Sequence, residues 1–233
     1  MTIKLGLPSK GRLQKSCIDW FAARGVAIER AAVDREYAGR VTGVDGVDLV
    51  LLSASEIPRE LAAGRIDLGV TGEDLVRETI HGWKSKIELV SALGFGAADL
   101  IIAVPVAWVD VENLHDFDAA AAAFRQAHGF RLRIATKYHN LARNWLTQHG
   151  VADYQLVDSQ GATEATPLNL TAEAIIDITS SGETLRANHL KVLEGEPILK
   201  SEAMLCRSVA STNDSSVDSL LSELLDGDSS AAQ

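Results

Sequence analysis

Residues 176–185 read Ile176-Asp177-Ile178-Thr179-Ser180-Ser181-Gly182-Glu183-Thr184-Leu185, and they pass from an apolar run through a hydroxyl-rich turn into a helix-forming segment. The apolar run predicts a buried strand, and a helix is expected to begin at about Glu183. A strand that is buried on both faces needs helices to cover it, so strand, turn and helix in this order indicate an α/β fold.

The same alternation of strands and helices runs through both halves of the chain. In the first half, strands are predicted at Ile3–Leu7, Val47–Leu52 and Asp67–Val70, each followed by a helical pattern. In the second half, strands are predicted at Asp99–Val106 and Leu132–Thr136. We therefore expect two lobes with a cleft between them, each lobe being a mixed, mostly parallel sheet that is flanked by helices.

The sequence changes character near residue 93, which sets the expected domain boundaries. Residues 1–93 and 190–210 are predicted to form lobe 1, and residues 94–189 are predicted to form lobe 2 with the hydroxyl-rich turn. Residues 211–233 carry five acidic and no basic side chains, so most of this segment is expected to be a disordered tail. Its apolar residues offer the alternative of a short amphipathic helix that docks on the protein: Val217, Leu220, Leu221, Leu224 and Leu225.

Composition excludes several classes of function. The net charge of −10 argues against a nucleic-acid partner, because phosphate backbones are held by clustered Lys and Arg. No apolar run approaches the roughly 20 residues that span a bilayer, and Met1–Leu5 does not read as the start of a signal peptide. The only two cysteines, Cys17 and Cys206, provide neither a disulfide framework nor a metal-binding spacing. These features predict a cytoplasmic protein without a membrane partner.

The hydroxyl-rich turn has two interpretations. Its backbone N–H groups at a helix start, together with three hydroxyls and a glycine, would form a cup for a phosphate. Asp177 lies in an otherwise apolar strand, where an unpaired carboxylate is costly, and at the strand end it would accept hydrogen bonds from ribose hydroxyls. The alternative is a capping turn that is purely structural, with Asp177 as a structural carboxylate.

Two further loops follow predicted strands. Lys10 and Arg12 flank Gly11, and two cations on a glycine loop at the carboxyl end of a strand suit a polyphosphate. A solvated basic turn is the alternative. Thr71 and Gly72 form either a second helix start that faces a phosphate or an ordinary helix cap.

Several blocks of the sequence resemble one enzyme family when they are taken together and in order. The blocks are Leu7–Leu13, Ile66–Leu75, Arg133–Tyr138, Glu164–Pro167 and Asp177–Leu185. They are similar to the corresponding blocks of the ATP phosphoribosyltransferases. These enzymes begin histidine biosynthesis by joining ATP to phosphoribosyl pyrophosphate (PRPP). The resemblance implies a two-lobed fold like that of type II periplasmic binding proteins, with the active site in the cleft.

The resemblance also implies roles for individual residues and a cofactor. Mg²⁺ is expected to bind through substrate phosphates, with no protein metal ligand. PRPP is expected to bind to Glu164, Asp177, Thr179, Ser180, Ser181, Gly182, Glu183 and Thr184. ATP is expected to bind to Lys10, Gly11, Thr71 and Gly72. The catalytic cations are expected to be Lys10, Arg12 and Arg35.

The sequence departs from the family at two positions. Leu170 stands where the family usually has glycine, which affects the local backbone path. Ser53 stands where the family often has an arginine, and Arg59 or Arg35 is the expected substitute. A scaffold that has lost its activity is the interpretation that these two departures would favour.

The resemblance ends near Arg207, which is typical of the short form of the family. That form assembles with a regulatory subunit related to histidyl-tRNA synthetases, and self-association to at least a dimer is expected. A rival from another class is a two-lobed solute-binding module that closes on an anion without chemistry. Release of pyrophosphate from ATP and PRPP would distinguish the enzyme from this module.

Overall fold

The structure is a computed structural model that describes residues 2–30, 38–212 and 214–226. The chain divides into two compact units. Unit 1 contains residues Met1–Gly96 and Glu202–Gln233, and unit 2 contains Ala97–Ser201. The chain therefore passes from one unit to the other twice.

Strands and helices alternate along most of the described chain. The strands are β1 (Ile3–Pro8), β2 (Ala27–Arg30), β3 (Ala38–Thr42), β4 (Val47–Leu52), β5 (Leu68–Gly72), β6 (Ile87–Ala92), β7 (Ala98–Pro105), β8 (Leu132–Thr136), β9 (Tyr154–Asp158), β10 (Ala174–Thr179), β11 (Leu190–Val192), β12 (Leu199–Ser201) and β13 (Ala203–Ser208). The helices are α1 (Gly11–Ala22), α2 (Ile57–Ala62), α3 (Glu73–Thr79), α4 (Leu114–His128), α5 (His139–Gln148), α6 (Glu183–Ala187) and α7 (Asp214–Asp226).

The sheet of unit 1 has the strand order β2-β3-β4-β1-β5-β13-β6. Its centre is parallel, because β1 pairs in parallel with both β4 and β5, and its remaining pairs are antiparallel. At the β1–β5 contact Gly6 lies opposite Gly69, and a Cβ atom at Gly69 would approach Ile57 to 2.8 Å. These glycines allow β1, β5 and α2 to pack closely. The carboxyl ends of the three parallel strands thus share one edge of the sheet.

The sheet of unit 2 has the order β11-β7-β10-β8-β9, with β12 also paired to β7. Strands β10, β8 and β9 are parallel, whereas β7 is antiparallel to β10. Alternate residues of β10 enter different apolar clusters, since Ile176 packs with Phe117 and Leu146 whereas Ile175 packs with Leu185. Both faces of this sheet are therefore covered, as the apolar run at its centre predicts. The two-unit α/β architecture confirms the predicted fold class.

The domain boundaries differ from the prediction. Strands β11 and β12 lie within residues 190–201, which the sequence pattern assigns to lobe 1, but both pair with β7 of unit 2. Of residues 190–210, only those from Glu202 onwards, which include β13, belong to unit 1. The apolar pattern of residues 190–210 marks strands without indicating their partner, because pairing depends on contacts that are distant in sequence.

The prediction that most of residues 211–233 form a disordered tail is wrong for Asp214–Asp226, which form α7, whereas residues 213 and 227–233 lie outside the described residues. Its apolar side chains enter the core of unit 1: Val217, Leu220, Leu221 and Leu224. Arg207 pairs with both Asp214 and Asp218 at 2.9 and 2.7 Å. Arg24 donates to the carbonyl of Leu224 at 3.0 Å, near the helix C-terminus where a cation is favourable. The acidic face of α7 is thus a solvated helix surface.

None of the helices in the described ranges is long and apolar enough to cross a membrane.

Candidate active site

The carboxyl ends of β8 and β10 bring Lys137 and Asp177 together. These strands are parallel, with Ile175 aligned to Ala135, and continuing this register by two residues places Asp177 beside Lys137. The Nζ atom of Lys137 lies 3.3 Å from Oδ1 of Asp177. The Asp177 side chain is only 16% exposed, so the cation offsets part of the cost of placing a carboxylate there.

The two oxygens of Asp177 differ in their surroundings. The backbone N–H of Ile178 donates to Oδ1 at 2.8 Å, so this oxygen accepts from an amide and also faces an ammonium group. Within the part of the chain that the structure describes, these are the contacts of the carboxylate, and Oδ2 has no protein donor. Oδ2 is consequently the oxygen that is available to a ligand.

The hydroxyl-rich turn follows Asp177 directly, as the sequence predicts. Gly182 has φ of +70°, a left-handed conformation that favours glycine. Its N–H donates to Oγ1 of Thr179 at 3.0 Å, and the N–H of Glu183 approaches Oγ of Ser181 at 3.4 Å. These two amides are already partnered, so the turn presents the exposed hydroxyls of Ser180 and Thr184 instead.

Arg186 adds a cation to this turn. Its Nη2 donates to the carbonyl of Ser181 at 3.0 Å, and Nη1 lies 3.0 Å from where a Cβ atom of Gly182 would stand. The guanidinium therefore supports the turn, and a side chain at Gly182 would have to displace it.

Other polar side chains follow β8 and β9 at the same edge. The Nε2 atom of His139 lies 3.1 Å from Oδ1 of Asp158, which also accepts from Gln160 at 2.9 Å. The hydrogen bonds from Gln160 and His139 lower the pKa of the Asp158 carboxyl. Glu164 is half-buried in a 3-10 turn at Thr163–Ala165 that contacts β10, so the structure places it in the same unit as Asp177.

Leu170, which stands where the family usually has glycine, lies in a left-handed turn that is held by Arg133. Leu170 adopts φ of +56°, the left-handed conformation that a glycine would take most easily. Its carbonyl accepts from Nη2 of Arg133 at 3.0 Å, and Arg133 also pairs with Glu173 at 2.5 Å. This cluster lies at the amino ends of β8 and β10, away from Asp177.

The carboxyl edge of the unit 1 sheet carries the Lys10 loop. Lys10 is the residue before α1, and Lys10, Gly11 and Arg12 are all exposed. The loop is fixed by the N–H of Ser9, which donates to the carbonyl of Leu52 at 2.7 Å. The cations are therefore displayed on an anchored turn, as the sequence predicts.

Ser53 follows β4 beside this loop. Its N–H and hydroxyl donate to Oε2 of Glu56 at 2.9 and 2.7 Å, and these bonds lower the pKa of the Glu56 carboxyl. The turn is thus closed by an anion rather than by a cation. Of the suggested substitutes, Arg59 is exposed on α2, whereas Arg35 lies outside the described residues.

Thr71 and Gly72 are the last two residues of β5, at the same edge of the sheet. Thr71 is fully buried, and its hydroxyl donates to the carbonyl of Ala54 at 2.7 Å, so it links the end of β5 to the turn after β4. Gly72 precedes α3, and a Cβ atom there would clash with Oδ1 of Asp74. Close packing against Asp74 therefore favours glycine at position 72, and the fully buried Thr71 exposes no surface to a ligand.

Sequence reasoning did not assign roles to Lys137 or Arg186. Lys137 stands in the Arg133–Tyr138 block, directly after β8, and this position at a strand end was the available signal. Arg186 lies four residues after Gly182, one helical turn away. Among the described residues, no group of three or more His, Cys, Asp or Glu side chains is arranged to hold a metal ion.

Comparisons with known proteins identify relatives in sequence and in fold. The family model described as HisG, ATP phosphoribosyltransferase, matches residues 53–226. An ATP phosphoribosyltransferase of Cereibacter sphaeroides is 66% identical over 208 residues, which cover 89% of this chain and 88% of that protein.

Two solved structures share the fold. A chain of the ATP phosphoribosyl transferase (HisG:HisZ) complex of Thermotoga maritima superposes with a TM-score of 0.74 at 21% identity, covering 97% of this chain and 98% of that one. The substrate-binding protein of an amino acid ABC transporter gives 0.52 at 11% identity, covering 99% and 94%. At these identities the likeness concerns the fold alone.

Proposed function

The chain belongs to the ATP phosphoribosyltransferase family, and we propose which of its residues bind each substrate and which stabilise the leaving group. The enzyme condenses ATP with PRPP to give N1-(5-phosphoribosyl)-ATP and pyrophosphate, the first step of histidine biosynthesis. The observation that carries the site assignment is the half-buried Asp177 at the end of β10, directly before a turn rich in hydroxyl groups.

The reaction needs little acid–base chemistry. The lone pair of adenine N1 forms a bond to C1 of the ribose, while the bond from C1 to the pyrophosphate oxygen breaks and the electron pair leaves with pyrophosphate. The protein must chiefly orient two polyanions and stabilise the charge of the leaving group. The rival solute-binding function is not favoured by the family match.

Unit 2 is proposed to bind PRPP. Oδ2 of Asp177 accepts hydrogen bonds from the ribose hydroxyls, and Glu164 is the second carboxylate for the sugar. The turn from Thr179 to Thr184 binds the 5-phosphate, with the free hydroxyls of Ser180 and Thr184 as donors and Arg186 as a nearby cation. Because the N–H of Gly182 is bound to Thr179, the role of Gly182 is to give the turn its left-handed shape.

Unit 1 is proposed to bind the phosphates of ATP and to stabilise leaving pyrophosphate. Lys10 and Arg12 supply the charge, and Gly11, with φ of +83°, shapes their loop. Gly72, which is partly exposed, contributes to ATP binding, whereas the predicted contact of ATP with the fully buried Thr71 is not proposed. Arg35 is proposed as a third catalytic cation from its position in the sequence.

Mg²⁺ is proposed as the cofactor. The described side chains form no protein cage for a metal. An ion of this kind is held mainly by substrate phosphates and keeps several waters. Bound in this way, Mg²⁺ would neutralise part of the phosphate charge, and Lys10 and Arg12 would neutralise the rest.

A regulatory subunit related to histidyl-tRNA synthetases is the proposed partner, with self-association to at least a dimer. The Thermotoga maritima structure is that of a HisG:HisZ complex, and this chain shares the fold of a chain in that complex. The substrates are cytoplasmic metabolites, so the proposed site of action is the cytoplasm.

The test is an assay of pyrophosphate release by the purified protein with ATP, PRPP and Mg²⁺. We expect turnover that requires both substrates, and a product absorbing as an N1-substituted adenine nucleotide. Binding of PRPP without pyrophosphate release, in the presence of every component, would instead support the solute-binding function.

A further inference from the structure

We propose that Lys137 is a positioning residue for PRPP, which acts by holding Asp177 so that Oδ2 faces the ribose. The inference rests on the proposed role of Asp177. It assigns a task to a cation that belongs to neither the Lys10 loop nor the hydroxyl-rich turn.

The geometry singles out Oδ1 of Asp177 as the anchored oxygen. Lys137 Nζ lies 3.3 Å from it, and the N–H of Ile178 donates to it at 2.8 Å. An aspartate side chain has a broad terminal torsion, so a single amide contact would allow its two oxygens to exchange places. The positive charge of Lys137 beside the same oxygen opposes this exchange and leaves Oδ2 for the ligand.

The fold fixes the backbone around Lys137 and so holds its side chain beside Asp177. The residue comes directly after β8, whose Ala135 is aligned with Ile175 of β10 in the centre of the sheet. Tyr138, the next residue, is buried, and its N–H donates to Oγ1 of Thr136 at 2.9 Å. The backbone on both sides of Lys137 is therefore fixed, while the side chain remains 42% exposed and reaches across to Asp177.

A positioning role differs from direct contact with a substrate phosphate in a measurable way. If Lys137 acts through Asp177, its removal should matter only while Asp177 carries a charge. If Lys137 binds a phosphate directly, its removal should matter whether or not Asp177 is changed. A double-mutant cycle separates these cases, because it measures the coupling between two side chains.

The experiment compares Lys137→Met, Asp177→Asn and the double variant in the pyrophosphate-release assay. We expect Lys137→Met to raise KM for PRPP by about ten- to a hundredfold, because misplaced binding groups cost that much. The KM for ATP should stay within about twofold of the wild-type value, and Lys137→Arg should restore most of the PRPP affinity. In the Asp177→Asn background, Lys137→Met should add less than about twofold.

Arg125→Met is the matched control. Arg125 pairs with Asp153 at 2.5 Å in the same unit, but this ion pair lies at the amino end of β9, away from Asp177. Its removal should leave both KM values unchanged. Circular dichroism and calorimetric binding of PRPP accompany each variant, so that a folding defect is separated from a loss of affinity.

Three results would overturn the proposal. In the first, the increases in KM for PRPP caused by Lys137→Met and Asp177→Asn multiply in the double variant. In the second, Lys137→Met raises KM for PRPP and KM for ATP equally. In the third, Lys137→Met binds PRPP with wild-type affinity. A wild-type protein without pyrophosphate release would instead count against the proposed function, and PRPP binding by calorimetry would still test the role of Lys137.

Discussion

The carbonyl oxygen of Leu170 accepts a hydrogen bond from Nη2 of Arg133 at 3.0 Å, while the Leu170 backbone is held at φ of +56°. A leucine in this left-handed region costs about 1–2 kcal/mol relative to its usual conformation. The contact with Arg133 shows that the surrounding structure fixes the chain path and tolerates the leucine. Its side chain is 79% exposed, so it contributes little packing in return.

Leu170→Gly should therefore stabilise the protein by about 0.5–1 kcal/mol, since relief of strain is partly offset by the larger entropy of an unfolded glycine. Chemical denaturation measures the change. Leu168→Gly is the control, because Leu168 is also exposed but has no positive φ, and this variant should be neutral or less stable. Equal effects of the two substitutions would contradict the assignment of strain to Leu170.

Asp177→Asn should lower kcat/KM for PRPP by about ten- to a hundredfold or more, because hydrogen bonds to a charged acceptor contribute about 1.5–3 kcal/mol. Steady-state kinetics with varied PRPP measures this loss. Glu173→Gln is the control at the other end of β10. Glu173 pairs with Arg133, so its change should lower stability and leave kcat/KM unchanged. Normal kinetics of Asp177→Asn would assign Asp177 a structural role.

Lys10→Met should reduce kcat/KM by about tenfold or more, because it removes a charge that stabilises the phosphates and the leaving group. Lys15→Met offers a matched comparison on the helix that follows, since Lys15 is also exposed but lies beyond the loop. This second variant should keep wild-type kinetics. Similar losses in both variants would point to a general effect of surface charge instead of a site at Lys10.

Leu224→Ala should destabilise the protein by about 2–5 kcal/mol, because Leu224 is fully buried in the core of unit 1. Ser222→Ala, an exposed position on the same helix, should change stability by less than about 0.5 kcal/mol. Urea denaturation of the two variants measures both values. A small effect of Leu224→Ala would show that α7 is not docked on unit 1 in solution.

Both cysteines should be unreactive in the folded protein. Burial raises the pKa of the Cys17 and Cys206 thiols to about 12, so neither forms a thiolate near pH 8. A disulfide reagent should label no thiol at pH 8 until denaturant is added, and then it should label two. Rapid labelling of the native protein would contradict the buried positions.

The same burial predicts how stability changes at alkaline pH. The folded pKa of Cys17 lies above the value of 9.0 for a free thiol, so its contribution is fully present below pH 9. That contribution is lost as the pH rises from about 9 towards 12. Thermal denaturation between pH 8 and 10.5 should therefore show a smaller decline for Cys17→Ala than for the wild type. An identical decline in both proteins would exclude the thiol as the cause.

Much of the fold was predictable because its signals are local. The apolar run before Thr179 predicts a buried strand, and α1 ends close to Gly25, whose φ of +79° suits a helix stop. The β2–β3 hairpin and β6 were missed, since short strands with mixed composition carry a weak periodic signal. The sequence predicts the docking of α7 only as an alternative, because an acidic, serine-rich segment is equally typical of disorder.

The α/β class, the family and the kinds of chemical group that follow each central strand can be read from the residues alone. These depend on residue types and short spacings. Tertiary structure decided which groups meet: Lys137 and Asp177 are forty residues apart, and only the parallel register of β8 and β10 places them 3.3 Å from each other. It also decided that the N–H of Gly182 is already bound to Thr179 and that β11 and β12 belong to unit 2. Strand pairing and side-chain contacts depend on residues distant along the chain, and a local pattern does not encode such contacts.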